Sequence, residues 1–164
     1  MNWTIEERPW TDPAGAALRA AQRTELDERY GTDEHEPGAA PSAADIDVFL
    51  VALDPTGEAI ACGALRRLDP TSAELKRMYV APASRGSGVA TAVLRALEER
   101  AYSRGWTTLR LETGPAQPDA IRFYRREGYQ EIPLYGAYIG SELSVCFERS
   151  LPSSRSSLPS RRSS

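Results

Sequence analysis

The sequence has few of the residues on which metal sites and disulfides depend. It contains two cysteines and one histidine in 164 residues. Cys62 and Cys146 each lie in an apolar stretch with a strand pattern, so we predict buried thiols rather than a disulfide or a nucleophile. His35 lies in a polar stretch, and one histidine with two scattered cysteines does not make a metal site. We therefore expect no metal cofactor.

Long apolar runs and a basic N-terminus are also missing. No run approaches the roughly 20 apolar residues of a membrane-spanning helix. Residues 1–8 have neither the basic nor the apolar region of a secretion signal. The net charge is −3, whereas nucleic-acid-binding domains are usually strongly basic. We expect a cytoplasmic protein that binds neither membrane nor nucleic acid, and the sequence leaves a homodimer open.

The composition is that of one ordinary globular domain. With 41% apolar and 26% charged residues, a chain of this length can bury a substantial core. Residues 151–164 consist mainly of Ser, Pro and Arg, which bury too little to offset the entropy of ordering. We predict one domain over residues 1–150, followed by a disordered tail over 151–164.

A glycine-rich turn between a strand and a helix is the most informative stretch. Residues 74–80 have a strand pattern, and apolar residues then recur at helical spacing from Ala90. The predicted helix has an apolar face and a charged face, formed by Ala90, Val93, Leu94, Leu97 and Ala101 and by Arg95, Glu98, Glu99 and Arg100. Gly86 and Gly88 leave the backbone accessible at its first turn, where N–H groups lack partners and the helix dipole is positive. The turn is therefore suited to bind a phosphate.

The spacing of this turn excludes two common phosphate-binding loops. A nucleoside-triphosphate loop has Lys and then Ser or Thr after its last glycine, whereas Gly88 is followed by Val89 and Ala90. A dinucleotide-binding fingerprint would need a third Gly or Ala at Thr91 and an acidic residue about 20 residues later at a strand end. Neither pattern is present.

The pattern Arg85-x-x-Gly88-x-Ala90 instead resembles motif A of the GNAT superfamily of acyl-CoA-dependent N-acetyltransferases. Residues 117–129 are similar to the family's motif B, Asn-x-x-Ala-x-x-x-Tyr-x-x-x-Gly followed by Phe or Tyr, except that Gln117 replaces Asn. The motifs lie in the order that the family requires, with a strand before the first. We therefore expect an α/β fold (α+β mixed sheet) of about seven strands, GNAT-like, with an antiparallel meander followed by a parallel β-α-β unit and flanking helices.

Local patterns give bounds for these elements. We predict strands at 3–8, 46–53, 59–68, 74–80, 107–113, 129–132 and 142–149, and helices at 13–30, 90–104 and 118–127. The first helix is expected to bury Ala17, Leu18, Ala21 and Leu26. The connection over residues 133–141 contains two glycines and two tyrosines, which indicates a loop that covers another part of the molecule.

The resemblance implies acetyl-CoA as co-substrate and a set of residues that bind it. In the family, loop amides bind the pyrophosphate of coenzyme A. The resemblance implies that backbone groups of Met78 and Val80 bind the pantetheine arm, with the Val80 N–H a candidate oxyanion donor. The expected cofactor-binding residues are Met78, Tyr79, Val80, Arg85, Gly86, Ser87, Gly88, Val89, Ala90, Thr91 and Gln117. A cluster of basic residues also suits a polyanion: Lys76, Arg77, Arg85, Arg95, Arg122, Arg125 and Arg126.

Acetylation of an amine also requires proton transfers. A phenol with an ordinary pKa near 10 is protonated at neutral pH, and the resemblance implies that Tyr124 stands near the cofactor sulfur as general acid. Glu74 matches the position of the catalytic glutamate in histone-type members and is the predicted base. Glu112 and a water molecule are the alternatives.

We therefore predict an N-acetyltransferase that transfers an acetyl group directly, in a ternary complex, to a primary amine of a small molecule or peptide. Glu25, Glu28 and Tyr30 are candidates for contact with this acceptor. An acidic pocket would favour a polyamine or an aminoglycoside, and a basic one an acidic amino acid. The alternative is an acyl-CoA sensor with the same fold and no turnover, because Gln117 and Ala90 depart from the commoner residues of the motifs.

Overall fold

Seven strands form a single sheet in the computed structural model, which describes residues 2–31 and 40–152. The strands are β1 (Thr4–Glu7), β2 (Val48–Leu53), β3 (Ala59–Asp69), β4 (Ser72–Val80), β5 (Thr108–Thr113), β6 (Gln130–Ile132) and β7 (Val145–Ser150). Their order is β1-β2-β3-β4-β5-β7-β6. Only β4 and β5 pair in parallel among these strands. The predicted meander and parallel β-α-β unit are confirmed.

Three α-helices cover the two faces of the sheet: α1 (Pro13–Tyr30), α2 (Val89–Ser103) and α3 (Pro118–Arg126). Helix α1 begins as predicted, because the Asp12 carboxylate accepts a hydrogen bond from the Gly15 N–H at 2.9 Å and Pro13 occupies the first position. Gly31, with φ of 71°, ends it.

The buried face of α1 differs from the predicted one. Ala17 and Ala21 are exposed, whereas Gly15 and Leu18 are buried. A β-carbon on Gly15 would lie 2.3 Å from Phe49 Cε2, so only glycine allows the helix to approach the sheet this closely. The contact rotates the helix and places Gly15, Leu18 and Gln22 toward the sheet.

The core lies mainly between the sheet and helices α2 and α3. Val93, Leu94, Leu97 and Ala101 are fully buried there, as the helical spacing predicts. Glu98, which was expected on the charged face, is buried instead. Its carboxylate accepts hydrogen bonds from Tyr129 at 2.7 Å and from Arg149 at 2.8 Å. The prediction for Glu98 was wrong because, besides the local partner Arg95 at 2.9 Å, its carboxylate is held by these two residues from distant parts of the chain.

Two further expectations concern the C-terminal region. Strand β7 begins at Val145 rather than at 142, because Ser141 Oγ accepts the N–H of Leu143 and the chain turns before the strand. Leu151, assigned to the tail by composition, is buried in the core, and its N–H donates to the carbonyl of Thr107 at 2.7 Å. The rest of the predicted tail, 153–164, lies outside the described residues, as does His35.

Both cysteines are buried free thiols, as predicted. Burial raises the pKa of Cys62 to about 12 and that of Cys146 to about 11, so neither forms a thiolate readily at neutral pH. Within residues 2–31 and 40–152, no cluster of three or more potential metal ligands occurs. The same residues include no helix with the length and apolarity needed to span a membrane.

Candidate active site

The turn between β4 and α2 leaves backbone groups accessible at the start of the helix. Gly86 and Gly88 have φ of 80° and 94°, a conformation that glycine adopts without strain. Gly88 is the N-cap residue of α2 and has no side chain to cap the helix, and the Val89 N–H makes only a long hydrogen bond, of 3.4 Å, to Ser87 Oγ. Ser87 Oγ donates to the Ser84 carbonyl at 2.6 Å and fixes the shape of the turn. The first N–H groups of α2 are therefore presented at the surface of the turn.

A cavity of about 580 Å³ opens beside this turn. It lies between α1, the end of β4, the turn and α3. Every residue expected to bind the cofactor, except Ser87, lines it, and so does Tyr124. The structure thus brings together two groups that are far apart in the sequence, the turn at 85–91 and the helix that carries Tyr124.

The basic cluster expected around this cavity is only partly there. Arg85 and Arg126 line it. Arg95 instead binds Glu127 at 2.7 Å, and Arg125 binds Glu131 at 3.0 Å. The prediction counted every cation on two helices, but several of them form ion pairs away from the cavity.

The open edge of β4 is occupied by side chains. Gln22 Nε2 donates to the carbonyl of Met78 at 2.8 Å, and Arg85 Nε donates to the carbonyl of Val80 at 2.9 Å. These are the carbonyls of the two residues expected to pair with a pantetheine arm. Alternate residues of a strand present their polar groups to the same edge, so Met78 and Val80 both face the gap beside β5.

That gap exists because β4 and β5 separate part of the way along their length. Their pairing runs from Ser72–Thr108 to Leu75–Leu111 and ends there, although both strands continue. Arg77 has φ of 58°, and the register with β3 shifts nearby, so β4 bends away through a bulge. We call the small cavity of about 100 Å³ between the separated strands the fork pocket.

The fork pocket receives side chains from both faces of the sheet. Gln22 and Tyr30 reach it from α1, Tyr124 from α3, and Glu112 from β5. The Tyr30 hydroxyl lies where Gly114 has no side chain, since a β-carbon there would be 1.6 Å away. The pocket shares Gln22, Met78, Gln117 and Tyr124 with the large cavity, so the two are adjoining.

Tyr124 stands at the junction of the two cavities with its ring packed in the core. The ring makes edge contacts with Phe123 and Tyr129, at centroid distances of 5.1 and 5.8 Å. Its side chain is 7% exposed, and burial raises the pKa of its hydroxyl. The group therefore remains protonated well above neutral pH.

Glu74 lies away from both cavities. It is 1% exposed and lines neither of them. Its carboxylate accepts hydrogen bonds from Tyr135 at 2.8 Å, Tyr138 at 2.7 Å and Arg66 at 2.8 Å. The carboxylate thus holds the 133–141 connection against the sheet, and the sheet around Glu74 is the part of the molecule that this connection covers. This geometry argues against Glu74 as a base.

Glu112 and Glu25 each line one of the cavities. Glu112 lies at the fork pocket, where Ser144 Oγ donates to it at 2.7 Å. Glu25 lines the large cavity and binds Arg85 at 2.7 Å. Glu28, the third candidate on α1 beside Glu25 and Tyr30, is exposed and lines neither cavity.

Sequence reasoning missed Gln22, which lines both cavities. Its position between Leu18 and Leu26, at i, i+4 and i+8 on α1, was the available signal, because a polar residue in an apolar stripe often contacts something specific. The exposed alanines at 17 and 21 misled the assignment of the face.

Comparison with known proteins agrees with this geometry. Residues 7–129 match the model of the acetyltransferase (GNAT) family. The chain is 35% identical over 105 residues to an IAA acetyltransferase of Azospirillum brasilense, which covers 63% of this chain and 67% of that protein. A solved structure from Klebsiella pneumoniae, provisionally described as an acyl-CoA N-acyltransferase, has a TM-score of 0.78 and 34% identity over 92% of this chain and 98% of its own. A GNAT family acetyltransferase from Elizabethkingia anophelis, solved with acetyl-CoA bound, shares the fold with a TM-score of 0.68 and 18% identity over 92% of this chain and 99% of its own.

Proposed function

Because the chain belongs to the GNAT acetyltransferase family, we propose that it transfers an acetyl group from acetyl-CoA to a primary amine of a small molecule or peptide. One observation carries the proposal beyond family membership. The large cavity runs from the glycine-rich start of α2 to Tyr124, where it adjoins the fork pocket. A long cofactor and a small acceptor would therefore meet at Tyr124.

The residues around the large cavity suit coenzyme A. Backbone N–H groups at the start of α2 are donors for a pyrophosphate, and the edge of β4 at Met78 and Val80 can pair with the amides of pantetheine. When bound, acetyl-CoA would supply an activated acetyl thioester. Gln22 and Arg85 now hold the carbonyls of Met78 and Val80, so these side chains compete with the pantetheine for the strand edge.

Tyr124 is the proposed general acid. It lines both cavities, and burial keeps its hydroxyl protonated by raising its pKa. It can therefore hold a proton for the leaving sulfur until that sulfur gains charge. The same burial makes the phenol a weaker acid, so we expect a modest contribution to the rate.

We propose Glu112, rather than Glu74, as the group that takes the proton from the amine. A primary ammonium has a pKa near 10.4 and no lone pair at neutral pH, so a carboxylate or a water molecule held by it must accept a proton. Glu112 lines the fork pocket and accepts a hydrogen bond from Ser144, whereas Glu74 is buried away from the cavities and accepts hydrogen bonds from three side chains. Glu112→Gln should lower kcat/KM most at low pH, where little free amine exists. Glu74→Gln should instead lower stability.

The test of the function has two parts. Calorimetric titration with coenzyme A measures binding, and release of free thiol from acetyl-CoA in the presence of a panel of primary amines measures transfer. We expect saturable binding and amine-dependent thiol release, with the acetylated amine identified by mass spectrometry. Tight binding with no thiol release for any amine would favour the acyl-CoA sensor.

A further inference from the structure

A third pocket, of about 360 Å³, lies on the α1 side of the sheet and adjoins the fork pocket. Three arginines line it, Arg19, Arg23 and Arg77, and none of its lining side chains in the described part of the chain is acidic. We call it the arginine pocket. It shares Gln22, Leu26 and Arg77 with the fork pocket, so a molecule of modest length could occupy both.

Arg19 is a partly buried cation that hydrogen-bonds no carboxylate. Its guanidinium stacks on Trp10 at 3.6 Å from the ring centroid, and Nη2 donates to the Trp10 carbonyl at 2.7 Å. Its Nη1 is buried with no hydrogen-bond acceptor. Burial lowers the pKa of Arg19, and the nearby charge of Arg77 adds to the effect. Buried charges in proteins are normally paired, so an anion bound in this pocket would give Arg19 the charge partner that the described residues do not provide.

Arg77 is held at the boundary of the two pockets by an unusual backbone. Among the described residues it is the only one other than glycine with a positive φ, 58°. Such conformations are strained in residues with a β-carbon and concentrate at functional sites. The bulge that separates β4 from β5 thus also places a guanidinium at the mouth of the fork pocket.

The fork pocket also contains hydrogen-bond acceptors. Gln22 Oε1 is buried with no hydrogen-bond donor, and Glu112 lines the same pocket beside Tyr124. Both are acceptors, suited to the N–H groups of an amine. Among the described residues, the fork pocket therefore combines acceptors with Lys76 and Arg77, whereas all charged side chains of the arginine pocket are cations.

We propose that the acceptor is a small amine that carries a carboxylate, such as an amino acid, with its amine in the fork pocket and its carboxylate in the arginine pocket. Guanidinium groups bind carboxylates through paired hydrogen bonds, and two or three arginines give such a group a specific place. This inference rests on the proposed function and names the substrate class for the same site.

The experiment compares amines that differ only in the distant group. The probes are glycine, β-alanine, γ-aminobutyrate and longer ω-amino acids, each beside its neutral amide and its phosphonate analogue. Thiol release from acetyl-CoA gives kcat/KM for each. We expect the best amino acid to exceed its amide by roughly 10- to 100-fold, the range of charge-assisted hydrogen bonds. Equal values for acid and amide would overturn the carboxylate site while leaving the acetyltransferase intact. A preference for the phosphonate would overturn the assignment to a carboxylate.

Variants link the preference to the pocket. Arg77→Asn removes the cation and keeps a residue that tolerates positive φ, so the ratio of acid to amide should fall about tenfold, mainly through KM. Arg67→Gln, the same loss of charge at an exposed position on β3, should leave the ratio unchanged. If no amine at all is acetylated, the proposed function fails. In that case, calorimetric titration of the amino acids into the protein saturated with coenzyme A tests the carboxylate site directly. Absence of binding would overturn the proposed site.

Discussion

Arg85 Nε donates a hydrogen bond to the carbonyl oxygen of Val80 at 2.9 Å, across the start of the turn that leads into α2. The same guanidinium binds Glu25 of α1 through Nη2 at 2.7 Å. The cation of the glycine-rich turn is thus directed toward the strand edge and α1. Glu25 neutralises it within the cavity proposed for a polyanionic cofactor, and this relationship can be tested.

Glu25→Gln should strengthen binding of coenzyme A. The substitution removes a negative charge from the cavity and frees Arg85 for the cofactor. Because both side chains are partly exposed, we expect a gain of no more than roughly fivefold in affinity. The gain should shrink as salt is added. Calorimetric titration at two ionic strengths measures it, with Glu28→Gln as the matched control on the exposed side of α1. Weaker binding by Glu25→Gln would show that Glu25 instead holds Arg85 in the orientation that the cofactor needs.

Gly88→Val should reduce affinity for coenzyme A. Gly88 has φ of 94°, and a side chain there would stand at the start of α2, where backbone N–H groups must approach the phosphates. Gly57→Val is the matched control, since Gly57 has φ of 90° and lies in the turn between β2 and β3. Both variants should lose about 1–2 kcal/mol of stability from the strained backbone. Only Gly88→Val should also lose affinity, and equal affinities for coenzyme A in the two variants would make the turn purely structural.

The parts of the fold that could be predicted from the sequence are the ends of helices and turns, because these depend on residues close together in the chain. Asp12 and Pro13 start α1 and Gly31 ends it, and Gly86 and Gly88 mark the turn before α2. These signals act within a few residues, so they can be read without knowing the rest of the molecule.

The parts that sequence could not predict depend on contacts between distant residues. Gln22 binds the carbonyl of Met78, 56 positions away. Glu74 binds Tyr138, 64 positions away, which removes it from the proposed site although its position on β4 resembles that of a catalytic glutamate. The fork pocket likewise arises where the β4–β5 pairing stops, and no local pattern marks that point.

Leu151→Ala should destabilise the protein, although Leu151 lies in the segment whose composition predicts a disordered tail. Its side chain is 8% exposed and belongs to the core. Shortening this side chain to Ala should therefore lower the free energy of unfolding by about 2–5 kcal/mol through lost burial and a residual cavity. Ending the chain after Pro152 should leave the free energy of unfolding unchanged, as the composition of 153–164 predicts. Urea denaturation of both variants measures the two values. A loss on removing residues 153–164 comparable with that of Leu151→Ala would show that these residues also pack on the domain.

Tyr124→Phe should slow acetyl transfer while leaving the cofactor bound as before. The substitution keeps the edge contacts with Phe123 and Tyr129 and removes only the hydroxyl. Since burial raises the pKa of Tyr124 above its ordinary value of 10.0, the wild-type acid stays protonated up to at least that pH, and its ionisation should not limit kcat below it. We expect kcat and kcat/KM to fall together by roughly 100-fold, the low end for a general acid, because a thiolate already leaves readily.

Tyr129→Phe is the matched control for this prediction. It removes a buried hydroxyl that donates to Glu98 at 2.7 Å, on a residue that lines neither cavity. It should therefore lower the melting temperature and leave kcat unchanged. Steady-state kinetics beside a direct titration with coenzyme A separates the two effects. If Tyr124→Phe retains the wild-type kcat with the preferred amine, the proton reaches the sulfur from water, and the role of Tyr124 is limited to packing between α3 and the sheet.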